Sequence, residues 1–349
     1  MPYRRVVIRQ YGPPDVLEVV EEPHLPDPAR GQVRVKMLAA SASYTDTMIR
    51  RGAYPEIRKK PPFSLGYDLV GVVDKLGEGA RRFRPGDRVC DLTVIGAYSE
   101  YLCADEDRLV PVPDDLDPGE AVSLVLSFMT AYQMLHRTVK VRPGQSILVH
   151  GAAGAVGSAL LALAQLHGVR VFGTASGQKH DKLKPYGATL IDYQREDFVE
   201  RLSREAPEGV DAVFDALGLK SFKRSLKMVK PGGTLVAYGF SNTVNRGKGA
   251  VVRDFLGFKF MELLPGSRRK VFYSITAMRK QHPDWFVQDL TALFDLLSEK
   301  KIKPVIWKRL PLSAAKQAHE LIEQSKPKGK IILFPPKTEP TEGKVPCPS

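Results

Sequence analysis

The sequence predicts an α/β protein in which a doubly wound parallel sheet is attached to a β-rich domain. Up to about residue 123, short β-branched runs are separated by Gly and Pro turns, a pattern typical of a small barrel or sandwich. From about Ser127 onward, apolar strands alternate with helical segments, which predicts βαβ units around a parallel sheet. The length of 349 residues suggests two domains at roughly 100–200 residues each.

The strands expected in the β-rich region are short runs bounded by turn residues. They are VRVKMLAAS (Val33–Ser41), LVGVVDKLG (Leu69–Gly77), RPGDRVCDL (Arg84–Leu92) and AYSEYLCAD (Ala97–Asp105). At the far end of the chain, KGKIILFP (Lys328–Pro335) also has the pattern of a strand. Because a strand needs a sheet to join, we expect this last strand to return to the first domain.

The second region begins with a predicted helix, Phe128–Val141, which Pro143-Gly144 ends. The strands predicted after it are SILVHG, VRVFGTA, TLIDY, VDAVFDAL and GGTLVAYGF. Of the helices predicted between these strands, the first ends at His167 and the others cover residues 178–186, 197–204 and 221–229. Residues 241–270 read as irregular and basic, and a packed loop is the favoured interpretation of Arg253–Lys270. A substrate entrance, a dimer contact and a membrane contact remain alternatives for that loop. A strand at Lys270–Ile275 and a helix at Trp285–Lys300 are expected to follow.

Composition narrows the class of protein. The net charge is +13, but the basic residues are spread along the chain without a nucleic-acid-binding motif, so solvated surface charge is favoured over an anionic partner. The three cysteines, Cys90, Cys103 and Cys347, show no paired spacing, which favours a reducing compartment. The chain shows neither a secretory signal nor a run of ~18 apolar residues. We therefore expect a cytoplasmic protein without stable membrane insertion.

A glycine-rich turn carries the strongest functional signal. The strand SILVHG leads directly into Gly151, Gly154 and Gly157, and a helix and a second strand follow. In the dinucleotide-binding turn, the first glycine allows the sharp turn, the second lets the backbone approach the pyrophosphate, and the third lets the helix pack closely. The phosphates then lie at the positive end of the helix. We therefore expect a Rossmann-type dinucleotide site formed by Gly151, Ala152, Ala153, Gly154, Ala155, Val156 and Gly157; a turn that serves packing alone is the alternative.

The end of the second strand indicates which nicotinamide coenzyme binds. An NAD site usually has Asp or Glu about 20 residues past the first glycine, but Phe172–Ser176 contains no acid, which admits the 2′-phosphate of NADPH. The residues expected near this phosphate are Ser176, Lys179 and Tyr193, although Lys179 alone also fits a solvated lysine. Gly239 and Phe240, at the end of a later strand, are candidates for the nicotinamide side, and a strand that simply ends in a glycine turn is the alternative. Thr130 and Thr174 complete the set of expected cofactor-binding residues.

The chain resembles the medium-chain dehydrogenase/reductase superfamily from about residue 3 to 335. Besides the glycine turn, the resemblance rests on SASYTDTMIRRGAYP, SLGYDLVGVVDKLGEG, RPGDRV and GAYSEYL. The most similar branch is that of the zinc-free quinone oxidoreductases, with the VAT-1-like and zeta-crystallin-like proteins. The resemblance implies a homodimer and a GroES-like substrate domain built from both chain ends. The implied division is residues 1–123 for the first part of the GroES-like domain, 124–276 for the NADP-binding Rossmann domain, 277–335 for the return to the GroES-like domain and 336–349 for a disordered tail.

The motif positions that carry zinc ligands in the alcohol dehydrogenase branch differ here. Ser43–Asp46 contains no Cys, and Tyr67 and Asp68 stand in place of a His-Glu pair. The four-cysteine lobe of that branch has no counterpart between Cys90 and Cys103. Because a catalytic zinc needs three N, S or O ligands in one pocket, we expect no metal.

Without zinc, the favoured chemistry is hydride addition from NADPH to a quinone or to the activated C=C bond of an enone or alkenal. Hydrogen-bond donors at the substrate oxygen would stabilise the negative charge that develops there. The candidate catalytic donors are Tyr54, Ser43, Tyr44 and Tyr67. Tyr54 matches a tyrosine near the nicotinamide in zinc-free relatives, whereas Ser43 replaces a common Asn. Tyrosine rings that serve packing only are the alternative, and Asp46 is interpreted as structural.

Two function classes remain open. The first is an NADPH-dependent quinone or enone reductase that takes a small-molecule substrate and does not bind DNA. The second is a catalytically weak NADPH-binding protein of the VAT-1-like type with a lipid, RNA or protein partner. An intact glycine turn and an open 2′-phosphate site favour the enzyme.

Overall fold

The computed structural model of the chain describes residues 1–326 and 329–336, so the predicted disordered tail lies outside the described residues from position 337 onward. The strands of the β-rich region are β1 (Tyr3–Ile8), β2 (Leu17–Glu22), β3 (Gln32–Ala42), β4 (Phe63–Ser64), β5 (Leu69–Leu76), β6 (Arg88–Asp91), β7 (Tyr101–Asp105) and β8 (Val110–Pro111). Strand β1 lies between β2 and β4, while β3 pairs antiparallel with both β5 and β7. In β3, Val33, Val35 and Met37 alternate with more exposed residues, which places one apolar face in the core.

One short helix and one long helical segment connect this region to the next. The short helix, α1 (Tyr44–Arg50), follows β3 directly. The long segment consists of α2 (Pro118–Ser123), a π-helical turn (Leu124–Phe128), α3 (Met129–Gln133) and a second π-helical turn (Met134–Val139). It therefore begins at Pro118, earlier than the predicted Phe128, because Asp117 caps the amide of Glu120 and proline is favourable at the first helical position.

The predicted parallel sheet is confirmed. Its strands are β9 (Ser146–His150), β10 (Arg170–Ala175), β11 (Thr189–Asp192), β12 (Val210–Asp215), β13 (Val229–Ala237) and β14 (Arg269–Phe272), and neighbouring strands pair in parallel in the order β11-β10-β9-β12-β13-β14. This order is that of the doubly wound nucleotide-binding fold. The associated helices are α4 (Ala155–Leu166), α5 (His180–Leu183), α6 (Phe198–Glu205), α7 (Leu219–Lys227), α8 (Lys248–Leu263), α9 (Ile275–Gln281) and α10 (Pro283–Ser298).

The end of the described chain returns to the β-rich region. Strand β15 (Ile306–Pro311), helix α11 (Ala315–Glu323) and strand β16 (Lys330–Phe334) follow α10. Strand β16 pairs antiparallel with β3, and β15 pairs in parallel with β16. Strands that precede the parallel sheet in the chain, β3 and β5 to β8, therefore share one sheet with strands that follow it, β15 and β16.

The prediction of an irregular segment over 241–270, with a packed loop at Arg253–Lys270, is wrong because most of it forms α8. One face of α8 is buried through Val251, Phe258 and Met261. The opposite face is also apolar, and its side chains remain exposed: Val252, Leu256, Phe260 and Leu263. Since apolar residues occupy both faces, the sequence shows no single apolar stripe from which a helix would be recognised. Among residues 1–326 and 329–336, none of the helices has the length and apolar character needed to cross a membrane.

Candidate active site

A cavity of about 570 Å³ lies where the β-rich region meets the carboxyl edge of the parallel sheet. Its walls come from α1, from the glycine turn after β9, from the segment after β13 and from residues 272–275 after β14. Open α/β sheets bind ligands at this edge. The lining is mostly apolar, with a few hydroxyl groups, as is usual for a site that takes a small organic molecule.

The glycine turn has the backbone geometry that its sequence predicts. Gly151 has a φ of +65°, a conformation that L side chains rarely adopt. A Cβ atom on Gly157 would lie 2.3 Å from the carbonyl oxygen of Gly151, so only glycine lets α4 pack this close to the turn. Gly154 precedes α4 and has no side chain to cap the helix. The first amides of α4 therefore face the cavity region without a side-chain acceptor, as an anion-binding helix end requires.

Buried polar side chains support the turn from beneath. The two ring nitrogens of His150 lie 3.1 Å from Thr174 Oγ1 and 3.0 Å from Ser225 Oγ. Ser225 in turn donates to Asp215, and Thr174 Oγ1 accepts the amide of Gly151. Burial lowers the pKa of His150, so its ring is neutral at physiological pH. This network fixes the end of β9, where the chain enters the turn.

The structure brings most of the expected cofactor residues to the cavity. Those that line it are Thr130, Gly151, Ala153, Gly154, Ala155, Val156, Gly157, Gly239 and Phe240. Ala152 and Thr174 are buried beneath the turn and are not part of the lining. Ser176, Lys179 and Tyr193 also lie outside the cavity, beyond the ends of β10 and β11. The sequence analysis missed His150, Leu217 and Tyr238, whose places in the lining depend on the packing of separate strands.

The residues expected to hold a 2′-phosphate form a separate group at the surface. Ala175 pairs with Asp192 across β10 and β11, which makes Ser176 and Tyr193 neighbours at the strand ends. The side chain of Tyr193 is 59% exposed, and Lys179 Nζ donates to the carbonyl oxygen of Ser325 at 3.1 Å. Asp192 adds a carboxylate that sequence reasoning missed because it belongs to the neighbouring strand; its Oδ2 lies 3.7 Å from Arg195 Nε.

Helix α1 positions the first candidate donors. Ser43 caps α1, and its hydroxyl and amide both donate to Asp46 Oδ2, at 2.6 and 2.9 Å. Asp46 Oδ1 accepts the amide of Gly66 at 3.2 Å. Burial raises the pKa of Asp46 to about 7. The Tyr44 hydroxyl donates to the carbonyl oxygen of Ser241 at 3.0 Å, which joins α1 to the segment after β13.

Tyr54 and Tyr67 form a pair in the cavity wall. Their hydroxyl oxygens are 2.7 Å apart, and their rings meet edge to face. Tyr67 is 1% exposed, and burial raises the pKa of both phenols. Both hydroxyls are therefore protonated at neutral pH and can donate a hydrogen bond.

The positions that hold zinc ligands in the alcohol dehydrogenase branch are engaged in other contacts. Ser43 bonds to Asp46 and Tyr67 to Tyr54, while Asp68 Oδ1 accepts the hydroxyl of Ser41 at 2.6 Å. In the part of the chain that the structure describes, no group of three or more His, Cys, Asp or Glu side chains is arranged to hold a metal ion. These residues do not fit a catalytic zinc.

A β-rich domain built from strands that come before and after an inserted Rossmann-type sheet is the architecture of a medium-chain dehydrogenase/reductase. Residues 29–114 match the family model described as the alcohol dehydrogenase GroES-like domain, and residues 186–333 match that of a zinc-binding dehydrogenase. The synaptic vesicle membrane protein VAT-1 homolog-like of Mus musculus is 31% identical over 348 residues, covering 96% of this chain and 82% of the relative. The quinone oxidoreductase of Mus musculus is 30% identical, with 95% and 97% coverage.

Solved structures agree with these relatives. The quinone oxidoreductase of Escherichia coli, complexed with NADPH, superimposes with a TM-score of 0.84 at 29% identity, covering 95% of this chain and all of that one. The human VAT-1 homolog-like protein gives a TM-score of 0.80 at 28% identity, covering 97% of this chain and 100% of that one. The chain belongs to the medium-chain dehydrogenase/reductase superfamily, in the branch that contains the quinone oxidoreductases and the VAT-1-like proteins.

Proposed function

We propose that this protein is an NADPH-dependent oxidoreductase that reduces a quinone, or the activated C=C bond of an enone or alkenal, without zinc. One observation carries the proposal: the glycine turn and the Tyr54–Tyr67 pair line the same cavity. A coenzyme on the turn and a carbonyl oxygen on the tyrosines would therefore lie within one site. The NADPH-bound structure of the Escherichia coli relative supports the choice of coenzyme.

The residues present fit the coenzyme, with one carboxylate, that of Asp192, among the 2′-phosphate residues, where it faces Arg195. The open amides of α4 and the glycine turn would bind the pyrophosphate, and Ser176, Lys179 and Tyr193 would bind the 2′-phosphate. Gly239, Phe240 and Thr130 would line the nicotinamide side of the cavity. Bound NADPH supplies a hydride, and the protein supplies orientation and a largely apolar pocket.

The tyrosine pair would act at the substrate oxygen. Hydride addition to a quinone or an enone leaves negative charge on a carbonyl oxygen, and a donor that is already oriented stabilises that charge. Tyr67 and Tyr54 both line the cavity, and their protonated hydroxyls are in direct contact with each other. These two hydroxyls are therefore the proposed donors. Tyr44 and Ser43 already donate to Ser241 and Asp46, so we assign them a positioning role.

The proposal is tested by the consumption of NADPH. The purified protein is mixed with NADPH and either 9,10-phenanthrenequinone or trans-2-hexenal, and coenzyme absorbance is followed. Saturable oxidation with at least one acceptor, faster with NADPH than with NADH, is the expected result. Saturable NADPH binding without turnover on either acceptor would overturn the assignment as a reductase.

The second candidate is a binding protein that uses the same fold for association with a partner. The exposed apolar face of α8 favours it, because Leu256, Phe260 and Leu263 are 61%, 64% and 82% exposed. This candidate predicts that Leu256→Ser and Phe260→Ser abolish association with a lipid, protein or RNA partner while NADPH binding persists. The homodimer and the cytoplasmic location also stay proposals, and sedimentation analysis of the purified protein tests the dimer.

A further inference from the structure

A carboxylate at the edge of the cavity gathers hydroxyl groups from both domains. Glu56 follows Tyr54 in the segment between α1 and β4, and its exposed side chain forms part of the cavity wall. Ser274 Oγ donates to Glu56 Oε1 at 2.8 Å, and Thr276 Oγ1 donates to Oε2. Both hydroxyls come from the nucleotide-binding region, more than 200 residues further along the chain. Glu56 is thereby held in a defined position although it is exposed.

The same carboxylate reaches the buried tyrosine pair. The Tyr54 hydroxyl lies 3.4 Å from Glu56 Oε2 and 2.7 Å from the Tyr67 hydroxyl. The three groups form a continuous line of exchangeable protons. This line leads from the exposed Glu56 to Tyr67, which is 1% exposed and lines the cavity. Either hydroxyl can be the donor in the bond between the two tyrosines, whereas the Tyr54 hydroxyl donates to Glu56 Oε2. A proton can therefore move inward along this line only after the Glu56 carboxylate has taken one up from solvent.

We propose that Glu56 is the outer end of a proton path, Glu56–Tyr54–Tyr67, which resupplies from solvent the proton that the reduced substrate takes up. The proposal rests on the proposed reductase function and adds a residue to it. A tyrosine that gives up its proton needs a source that returns one before the next turnover. The exposed carboxylate of Glu56, at the edge of the cavity, would provide that source.

The protons and electrons balance for a quinone substrate. The quinone receives a hydride, with NADP⁺ as the oxidised product, and one proton from Tyr67, which gives the hydroquinone. The O–H bond of Tyr67 breaks as the new O–H bond forms on the substrate oxygen. Tyr67 then takes the proton of Tyr54, Tyr54 takes the proton of the Glu56 carboxyl group, and Glu56 takes one from solvent. Both tyrosines end neutral.

The groups around Glu56 bear on the expected pH dependence. The titratable groups that face it are Tyr54 on its own segment and Tyr67 behind Tyr54, while Ser274 and Thr276 contribute hydroxyls from the opposite side. Asp46 acts electrostatically on Tyr67. Because the path draws its proton from solvent, turnover of the wild type should rise as pH falls.

Two variants separate the supply of a proton by Glu56 from the hydrogen bonds that join Glu56 to Ser274 and Thr276. Glu56→Gln keeps an acceptor for Ser274 and Thr276 but cannot carry a proton, whereas Thr276→Val keeps the carboxylate and removes one bridging hydroxyl. With 9,10-phenanthrenequinone, we expect Glu56→Gln to lower kcat about tenfold, less than the 10²–10⁴ of a directly acting acid, and to lose the rise at low pH. Thr276→Val should retain that rise, and Glu56→Asp should restore part of it. An unchanged kcat and pH profile in Glu56→Gln would overturn the proposal.

A second readout does not depend on turnover. In protein labelled with ¹³C at the tyrosine Cζ atom, the NMR signals of Tyr54 and Tyr67, assigned from Tyr54→Phe and Tyr67→Phe, should shift together as pH falls. The shifts should be absent in Glu56→Gln. Signals of the two tyrosines that do not respond to acid in the wild type would contradict the path. Failure of the reductase function itself would appear differently, as wild-type protein that turns over neither acceptor.

Discussion

At the scale of single residues, the tyrosine pair is the proposed chemical centre of the site. The resemblance to zinc-free relatives predicts Tyr54 as a donor near the nicotinamide, and Tyr67 is one of the other candidate donors named from the sequence. Their contact with each other, and the contact of Tyr54 with Glu56, depend on long-range packing. Glu56 meets Ser274 and Thr276 only in the folded chain, so no sequence spacing could have indicated the role of Glu56.

Removing either hydroxyl of the pair should reduce turnover without loss of coenzyme affinity. We expect Tyr54→Phe and Tyr67→Phe each to lower kcat/KM by about 10²-fold, the lower end of what the loss of one oxyanion donor costs. The Kd for NADPH should stay within about twofold, since neither hydroxyl is expected to bind the phosphates. Tyr11→Phe, at an exposed tyrosine away from the cavity, is the matched control and should behave as the wild type.

The candidate 2′-phosphate site makes a different prediction. Lys179→Met should weaken NADPH binding about tenfold or more because a charge-assisted hydrogen bond is lost, while NADH binding should be unchanged. Lys182→Met, at an exposed lysine in α5, is the control for the loss of one positive charge. Equal weakening of both coenzymes in Lys179→Met would instead indicate that its bond to Ser325 matters for folding.

At the scale of elements, a helix or strand could be predicted from the sequence where consecutive residues specify it. The strand, glycine turn and helix from β9 to α4 are specified within some twenty consecutive residues, and this unit was predicted with its function. Helix α8 was missed because apolar residues occupy both of its faces. One face of α8 packs on the core, and the other face is exposed. Because the residues of both faces are apolar, the sequence pattern does not show which face is buried.

The packing of α4 on the turn gives a test of this unit. A methyl group at position 157 would lie 2.3 Å from the Gly151 carbonyl oxygen, so the helix must move away from the turn in Gly157→Ala. We expect this variant to lose measurable NADPH binding and to melt at a lower temperature. Gly249→Ala, in α8, meets no atom within 4 Å and should be neutral or slightly stabilising. Wild-type coenzyme affinity in Gly157→Ala would show that the close packing is not required.

At the scale of the whole molecule, two neutral histidines, the half-buried His136 and the fully buried His319, couple stability to pH. Burial lowers the pKa of His136 to about 4 and that of His319 to about 3, below the ordinary value of 6.5. The unfolded chain therefore binds protons that the folded chain does not, and this contribution to stability is lost as pH falls below about 6.5.

The measurement is the free energy of unfolding in urea as a function of pH. Between pH 6.5 and 4, we expect it to fall by up to ~1.4 kcal/mol per pH unit for each of these histidines. His319→Gln, which can keep the contact with Tyr98, should make this fall less steep. A slope that is identical in the variant would contradict a buried, neutral His319.

The architecture of the whole molecule was predicted correctly because two features of the sequence constrain it. These features are the alternation of strands with helices and the last strand, which returns to the first domain. The substrate, a quinone, enone or alkenal, stays a prediction, since the cavity that would select it is formed by α1, the turn, the β13 end and the segment after β14 together. These parts all line the cavity at the carboxyl edge of the sheet, where we propose that the dinucleotide binds.

Isothermal titration calorimetry of the purified protein with NADPH and with NADH tests this central claim most directly. The account predicts saturable binding of NADPH at one site per chain, tighter than that of NADH, with the preference reduced in Lys179→Met and the binding lost in Gly157→Ala. Absence of binding by either coenzyme, or NADPH binding that Gly157→Ala leaves intact, would contradict it.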